Sequence, residues 1–207
     1  MKTFKTGQEK FWAGEFGDNY IQRNRNAKIV PGNINMFSKI LDNTRGVNSV
    51  IEFGANIGLN LIAIKTLLPN VKLSAIEINK KAVDNLKKIQ GIKIYHKSIL
   101  EFSPDYKRDL VLIKGVLIHI NPDMLSLAYD ALYKTTRKYI LIAEYYNPSP
   151  VSIDYRGHKD KLFKRDFSGE MLDKFKDLHL VNYGFTYHRD NDYDFGDINW
   201  FLLRKTN

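Results

Sequence analysis

The stretch Ser49-Val50-Ile51-Glu52-Phe53-Gly54-Ala55-Asn56-Ile57-Gly58-Leu59-Asn60 limits what this chain can fold into more than any other. A short apolar strand turns through two glycines into an amphipathic helix whose inner face is Leu59, Ile62, Ala63 and Leu67. Gly54 allows a sharp backbone turn at the strand's carboxyl end. Gly58 is predicted to let a bulky ligand lie against the backbone where the helix starts. The spacing is Glu-x-Gly-x-x-x-Gly, not the Gly-x-Gly-x-x-Gly of dinucleotide loops. The carboxylate of Glu52 is the informative difference, because it repels a pyrophosphate and attracts a ligand bearing an ammonium and a sulfonium. The structural alternative is an ordinary strand-turn-helix.

A second carboxylate narrows the ligand. The next apolar strand, 71–77, ends in Glu77, which lies 77 − 58 = 19 positions after Gly58. Nucleotide-type α/β folds place an acid on the ribose hydroxyls roughly 20 residues on. Asn79 then opens a helix along Ala82, Val83, Leu86 and Ile89, so Glu77 also reads as part of that helix's N-terminal region.

The glycine loop resembles the first motif of the class I S-adenosylmethionine-dependent methyltransferases. The resemblance implies S-adenosyl-L-methionine as cofactor and S-adenosyl-L-homocysteine as product. It implies cofactor contacts at Glu52, Gly54, Asn56, Gly58, Glu77 and Ile78, and at Lys114 and Val116 where the fourth strand ends. Those enzymes usually carry an acid facing the adenine amino group after the third strand. Here Ser98 stands at that point, leaving adenine to backbone groups and to Ile99.

The remaining elements agree on architecture. Strands at 92–95, 109–114 and 139–144 follow, with helices at 33–42, 59–68, 79–90, 122–135 and 168–176. The runs 109–114 and 139–144 are continuously apolar, as in strands buried on both faces. Two last strands, 178–185 and 199–203, meet directly across a loop. The predicted fold is α/β and Rossmann-like: seven strands, mostly parallel, a reversed C-terminal strand and helices on both faces. With 207 residues, one methyltransferase domain over 1–207 is expected. Within it, residues 1–45 form an N-terminal helical lid and 145–167 a substrate-side insert.

Cysteine is absent, which excludes disulfides and thiolate metal sites. No signal peptide is read at the start, and no apolar run approaches the roughly 20 residues that span a bilayer. The expectation is a soluble, cytoplasmic protein without a membrane partner. A net charge of +9 favours anionic partners, which include nucleic acid, phosphosugars and acidic sugars.

Two segments outside the strand-helix alternation stand out. The first, Phe11-Trp12-Ala13-Gly14-Glu15-Phe16-Gly17-Asp18-Asn19-Tyr20 followed by Arg23 and Arg25, is too aromatic for a disordered leader. Short helices folded over the cofactor pocket are expected there, or a simple covering of the sheet's flank. The second is the insert, where Tyr145, Tyr146 and Tyr155 sit beside a run, Arg156–Arg165, of five Lys/Arg against one Asp. It reads as an active-site loop for a carboxylate or phosphate. A solvated basic loop is the alternative.

These two segments, together with Lys114-Gly115-Val116-Leu117-Ile118-His119-Ile120-Asn121-Pro122, resemble the pseudaminic acid biosynthesis-associated methyltransferases from about Gln8 to Leu203. That resemblance implies a small anionic substrate, an amino- or amidino-sugar acid of the nonulosonic (pseudaminic or legionaminic-like) class or its precursor. N- and O-methylation both remain open. A general base near neutral pKa suits either, so His119 and His158 are the candidates, with Glu144 or Tyr146 orienting. Trp12 and Tyr20 read as cofactor contacts; Tyr20, Tyr145 or Tyr146 would hold a sulfonium by cation–π attraction. Tyr145, Tyr155, Arg156, Lys164 and Arg165 are the substrate candidates, although Arg165 equally suits a pair with Asp154 or Asp166. No metal site is expected, since the acidic run Asp190–Asp197 has Phe201 where a calcium loop has its bidentate Glu. The alternative functions are a nucleic-acid methyltransferase and a non-catalytic cofactor-binding relative.

Overall fold

Ser49–Phe53 is buried along its whole length and forms an interior strand, β1. Its neighbours are β2 (Lys72–Glu77) on one side and β4 (Arg108–Lys114) on the other, both parallel to it. Beyond β2 lies β3 (Ile92–His96), and beyond β4 lies β5 (Thr136–Glu144). The computed structural model that shows this describes residues 4–23, 26–193 and 196–206. Asn24 and Arg25 of the aromatic N-terminal motif, and Asp194 and Phe195 of the acidic run, lie outside the described residues.

The sheet has seven strands in the order β3-β2-β1-β4-β5-β9-β8, where β8 is Leu178–Thr186 and β9 is Ile198–Lys205. Strand β9 runs antiparallel to both of its neighbours, so the C-terminal strand is the reversed one. Alternate residues feed two hydrophobic layers. Val111, Ile113, Ile140 and Ile142 face helices α6 (Leu125–Thr135) and α7 (Phe167–Lys174). Leu110, Leu112, Leu141 and Ala143 face α3 (Ile29–Leu41) and α4 (Leu59–Leu67). The helix that crosses from β2 to β3, α5 (Lys80–Leu86), is capped by Asn79, whose Oδ1 accepts from the Ala82 N–H at 2.9 Å.

Three boundaries differ from the sequence reading. Helix α3 starts at Ile29, before the predicted Asn33, and takes Pro31 into its first turn. A proline is tolerated there because its missing N–H would have no intrahelical partner. Helix α7 is capped by Asp166, which accepts from the Gly169 N–H at 2.8 Å, and Ser168 is already inside it and buried. The predicted insert loop is a β-hairpin, β6 (Val151–Tyr155) and β7 (His158–Lys164). Arg156 and Gly157 both have positive φ, 51° and 81°, the two-residue turn that matches strand twist.

The N-terminal segment forms two short helices, α1 (Gly7–Ala13) and α2 (Glu15–Arg23). Among the described residues, no helix is long and apolar enough to cross a membrane.

Candidate cofactor and substrate site

In an open α/β sheet, ligands lie outside the carboxyl ends of the strands where the strand order reverses, here between β1 and β4. A cavity of about 260 Å³ occupies that place, roofed by α1 and α2 and continued at one end by Tyr155 of the hairpin. Of the sequence candidates it brings together Trp12, Tyr20, Gly54, Asn56, Glu77, Ile78, Ser98, Ile99, Lys114 and Val116, together with His119, Glu144, Tyr145 and Tyr155.

One end is built by the loop after β1. The Gly54 and Ala55 N–H groups donate to the Ile76 carbonyl at 2.9 and 3.0 Å, which pins the loop across β2. Gly54 has φ +76°, and a Cβ there would lie 2.6 Å from Val116 Cγ2. Asn56, also left-handed at φ 47°, points its N–H at Glu77 Oε2 (2.7 Å), and the Asn79 N–H reaches Oε1 (2.7 Å). Burial raises the Glu77 carboxyl pKa, and these backbone donors pull it down. A carboxylate has about four lone-pair positions, so Glu77 keeps acceptor capacity for a ribose diol.

The predicted gap at Ser98 is filled from another element. Ser98 Oγ donates to Glu9 Oε1 and accepts from the Leu100 N–H at 3.1 Å. Glu9 Oε2 accepts from the Thr6 N–H (2.9 Å), and Thr6 Oγ1 accepts from the Glu9 N–H (3.1 Å). The carboxylate beside the strand-3 turn therefore comes from α1, through a capping box legible as Thr6-x-x-Glu9 and missed by the sequence reading.

The roof is fastened to the same corner. Asn79 Nδ2 donates to Asp18 Oδ1 (2.8 Å) and to the Trp12 carbonyl (3.3 Å), and Lys81 pairs with Asp18 at 2.7 Å. Gly17 sits where a Cβ would be 1.9 Å from the Trp12 carbonyl oxygen, so only glycine lets α2 fold back on α1. Gln8 Nε2 donates to the Asp160 carbonyl at 3.1 Å, tying the roof to the hairpin.

The other end is aromatic and holds the titratable groups. His119 is 7% exposed, its ring between Trp12 (centroids 4.6 Å apart) and Tyr155 (4.9 Å). Its Nδ1 lies 2.5 Å from the Lys161 carbonyl. A carbonyl only accepts, so Nδ1 carries the proton and Nε2 the lone pair. Burial lowers the imidazole pKa to about 4. Glu144 closes β5; its Oε1 accepts from the Val116 and Leu117 N–H groups at 2.9 Å each, and its Oε2 is buried with no hydrogen-bond partner. Burial raises this carboxyl to about 7. Burial also holds the Lys114 ammonium below the usual lysine range, against the pull of Glu52 and Glu144.

Several candidates stand elsewhere. Glu52 lies beneath the loop, fully buried, and accepts from Asn60 Nδ2, which does line the cavity. Gly58 serves packing, because a Cβ would sit 2.6 Å from Ile89 Cδ1 and 2.8 Å from Leu86 Cδ2. His158 is on the outer side of the hairpin against Phe11 (4.9 Å) and Phe16 (5.6 Å). Tyr146 is 38% exposed and packs on Phe201. Arg156 lies over the ring of Tyr155 and Lys164 over that of Tyr145, and neither cation is part of the cavity lining. Arg165 pairs with Glu170, not with Asp154 or Asp166. The cavity wall itself carries Glu9, Glu77 and Glu144 against Lys97 and Lys114, so the basic cluster expected inside is outside. Asn33 was missed; it is 1% exposed, borders the cavity and has a buried Nδ2 without a hydrogen-bond partner, on a helix face that reads as core.

No family model and no curated protein matches the sequence. Solved structures do match over nearly the whole chain. The 1,6-didemethyltoxoflavin-N1-methyltransferase of Burkholderia thailandensis, with its substrate and S-adenosylhomocysteine bound, aligns with TM-score 0.70 at 12% identity over 100% of this chain and 94% of that one. The chain has the class I methyltransferase fold. The magnesium protoporphyrin IX methyltransferase of Synechocystis PCC 6803 with bound SAM gives 0.67 at 13% identity, covering 99% and 100% of the two chains. The N-methyltransferase NodS of Bradyrhizobium japonicum WM9 with S-adenosyl-L-homocysteine gives 0.65 at 17%, covering 97% of each. Within this fold the free lone pairs of Glu77 and the unpartnered donor of Asn33 fit the polar ends of S-adenosyl-L-methionine.

Proposed function

We propose that this chain transfers a methyl group from S-adenosyl-L-methionine to a small-molecule acceptor, of the nonulosonic sugar-acid class that the sequence resemblance implies. The observation that carries the reading is one cavity joining a nucleoside corner at Glu77 to an aromatic end bearing the free Nε2 of His119. Two of the structural neighbours are named for small-molecule substrates, 1,6-didemethyltoxoflavin and magnesium protoporphyrin IX, which supports the acceptor's size class, while a third is named for the peptide plantazolicin.

Bound cofactor supplies an activated methyl on a sulfonium; the remaining work is alignment and proton handling. Glu77 would hold the ribose hydroxyls of the cofactor, and Ser98, Glu9 and Ile99 would border its adenine. Trp12 and Tyr20, edge to face at 5.2 Å, would shield it from water. His119 takes the acceptor's proton at Nε2, its ring fixed by the Lys161 carbonyl. This role passes to His119 because His158 lies outside the cavity lining. A sugar acid would place its reacting group beside His119 and its carboxylate toward Arg156 and Lys164 at the hairpin. Incubation with methyl-labelled cofactor and a panel of nonulosonic acid intermediates, read by mass spectrometry, tests the reading. Transfer to one of them is expected, and cofactor binding without any transfer refutes the substrate class.

A further inference from the structure

The sheet has two edges, and they are finished differently. The β3 edge is five residues long and carries Lys93, paired with Asp105 at 2.6 Å. The β8 edge is nine residues long, and from Leu178 to Tyr187 the chain has no Asp, Glu, Lys, Arg or Pro. Charges and prolines are what ordinarily keep an edge strand from pairing with another chain.

One face of β8 is also apolar and bare. Leu180 stands opposite Leu203 and Tyr183 opposite Phe201, so Leu180, Tyr183 and Phe185 share the side of the sheet that α7 covers. That cover reaches Leu178, which is buried in one layer with Met171. Beyond it Tyr183 is 66% exposed, Phe185 54%, Tyr187 48% and Leu180 46%. The rings adjoin: Tyr183 stacks with Phe201 at 6.3 Å, and Phe185 lies 6.1 Å from Tyr187. On the strand itself, the Tyr183 N–H is held by Oδ1 of the adjacent Asn182 at 2.8 Å, an exposed local substitute for a strand partner.

We propose that β8 pairs antiparallel with β8 of a second copy of this chain, continuing the sheet across a two-fold axis. Charge favours a copy over a different partner. The strip has no charged group by which to select an oppositely charged protein, and at a net +9 two copies repel less where no charge stands. Area agrees. An aromatic side chain offers roughly 150–250 Å², so the exposed parts of Leu180, Tyr183, Phe185 and Tyr187 offer about 400 Å² per copy. Two copies with their backbone edges come to about 1,000 Å², where specific interfaces begin. A strand set against itself uses the same patch on both sides, so the assembly closes at two.

Sedimentation velocity of the full chain across the micromolar range is expected to show a monomer–dimer equilibrium. Hydrogen exchange at the amides of 182–187 should slow as the dimer fills. Tyr183→Lys combined with Phe185→Lys sets lysines against lysines across the axis and should weaken the dimer at least tenfold, with an unchanged far-ultraviolet circular dichroism spectrum. A wild-type chain that stays monomeric throughout overturns the proposal, as does a series of ever larger species, the mark of open-ended pairing. A dimer whose 182–187 amides exchange as fast as the monomer's overturns it too, and so does one that the folded double variant keeps at full strength.

Discussion

Glu52 is a fully buried carboxyl whose Oε1 accepts from Asn60 and whose Oε2 has no partner. Burial raises its pKa from the ordinary 4.5 to about 8. Between those values the folded protein keeps a proton that the unfolded chain has released. Stability therefore falls as pH rises through that window, by about 1.4 kcal/mol per pH unit, and levels off above it. Over the window from 4.5 to about 8 this amounts to about 5 kcal/mol at most. Glu52→Gln preserves the acceptor for Asn60 and cannot ionise. It should be more stable than wild type by roughly 3–4 kcal/mol near pH 7.5, and by less than about 1 kcal/mol near pH 5. Urea denaturation of both proteins across that range measures the difference. Glu144 and His119 titrate in both proteins, so to first order their contributions cancel, whereas Lys114 and Glu77 feel the Glu52 charge and that coupling is part of the difference. A difference curve with no slope between pH 5 and 8 would mean that Glu52 ionises as it does in water, and would refute the argument.

Three further outcomes are expected. Glu77→Ala removes the ribose acceptor and should weaken S-adenosyl-L-homocysteine by about 1.5–3 kcal/mol, read by calorimetry; unchanged affinity takes Glu77 out of the site. His119→Ala should lower turnover by about a hundredfold or more with cofactor affinity retained, whereas His158→Ala should keep wild-type turnover; the reverse ranking moves the base to the hairpin. Gly17→Ala places a methyl against the Trp12 carbonyl and should force α1 and α2 apart, seen as altered Trp12 fluorescence and weaker cofactor binding; a wild-type titration shows that the roof is not held this way.

The parallel core was legible because a strand buried on both faces has no choice of pattern, as in Asp109–Lys114 and Tyr139–Glu144. The hairpin was not, although Val151, Ile153 and Tyr155 alternate with polar residues. Pro148, Pro150 and the basic run mask that short period, and Arg-Gly is a weaker turn signal than Asn-Gly. Glu9 was missed because its partner, Ser98, lies 89 residues away. Glu52 and Gly58 were read as ligand contacts because their spacing is that of a binding loop, and spacing does not say which side of the loop is wet.

Local pattern determined the order along the chain of the seven sheet strands and their helices, and the position of the acid nineteen residues past the second glycine, since each element's period is set within one or two turns of chain. Tertiary packing decided which groups meet: that α1 supplies the carboxylate next to Ser98, that Lys161 orients His119, and that Arg156 and Lys164 of the hairpin are not part of the cavity lining. Those pairings join segments tens of residues apart, and burial, which sets the charge state of Glu52, Glu144 and His119, exists only once the layers have closed over them.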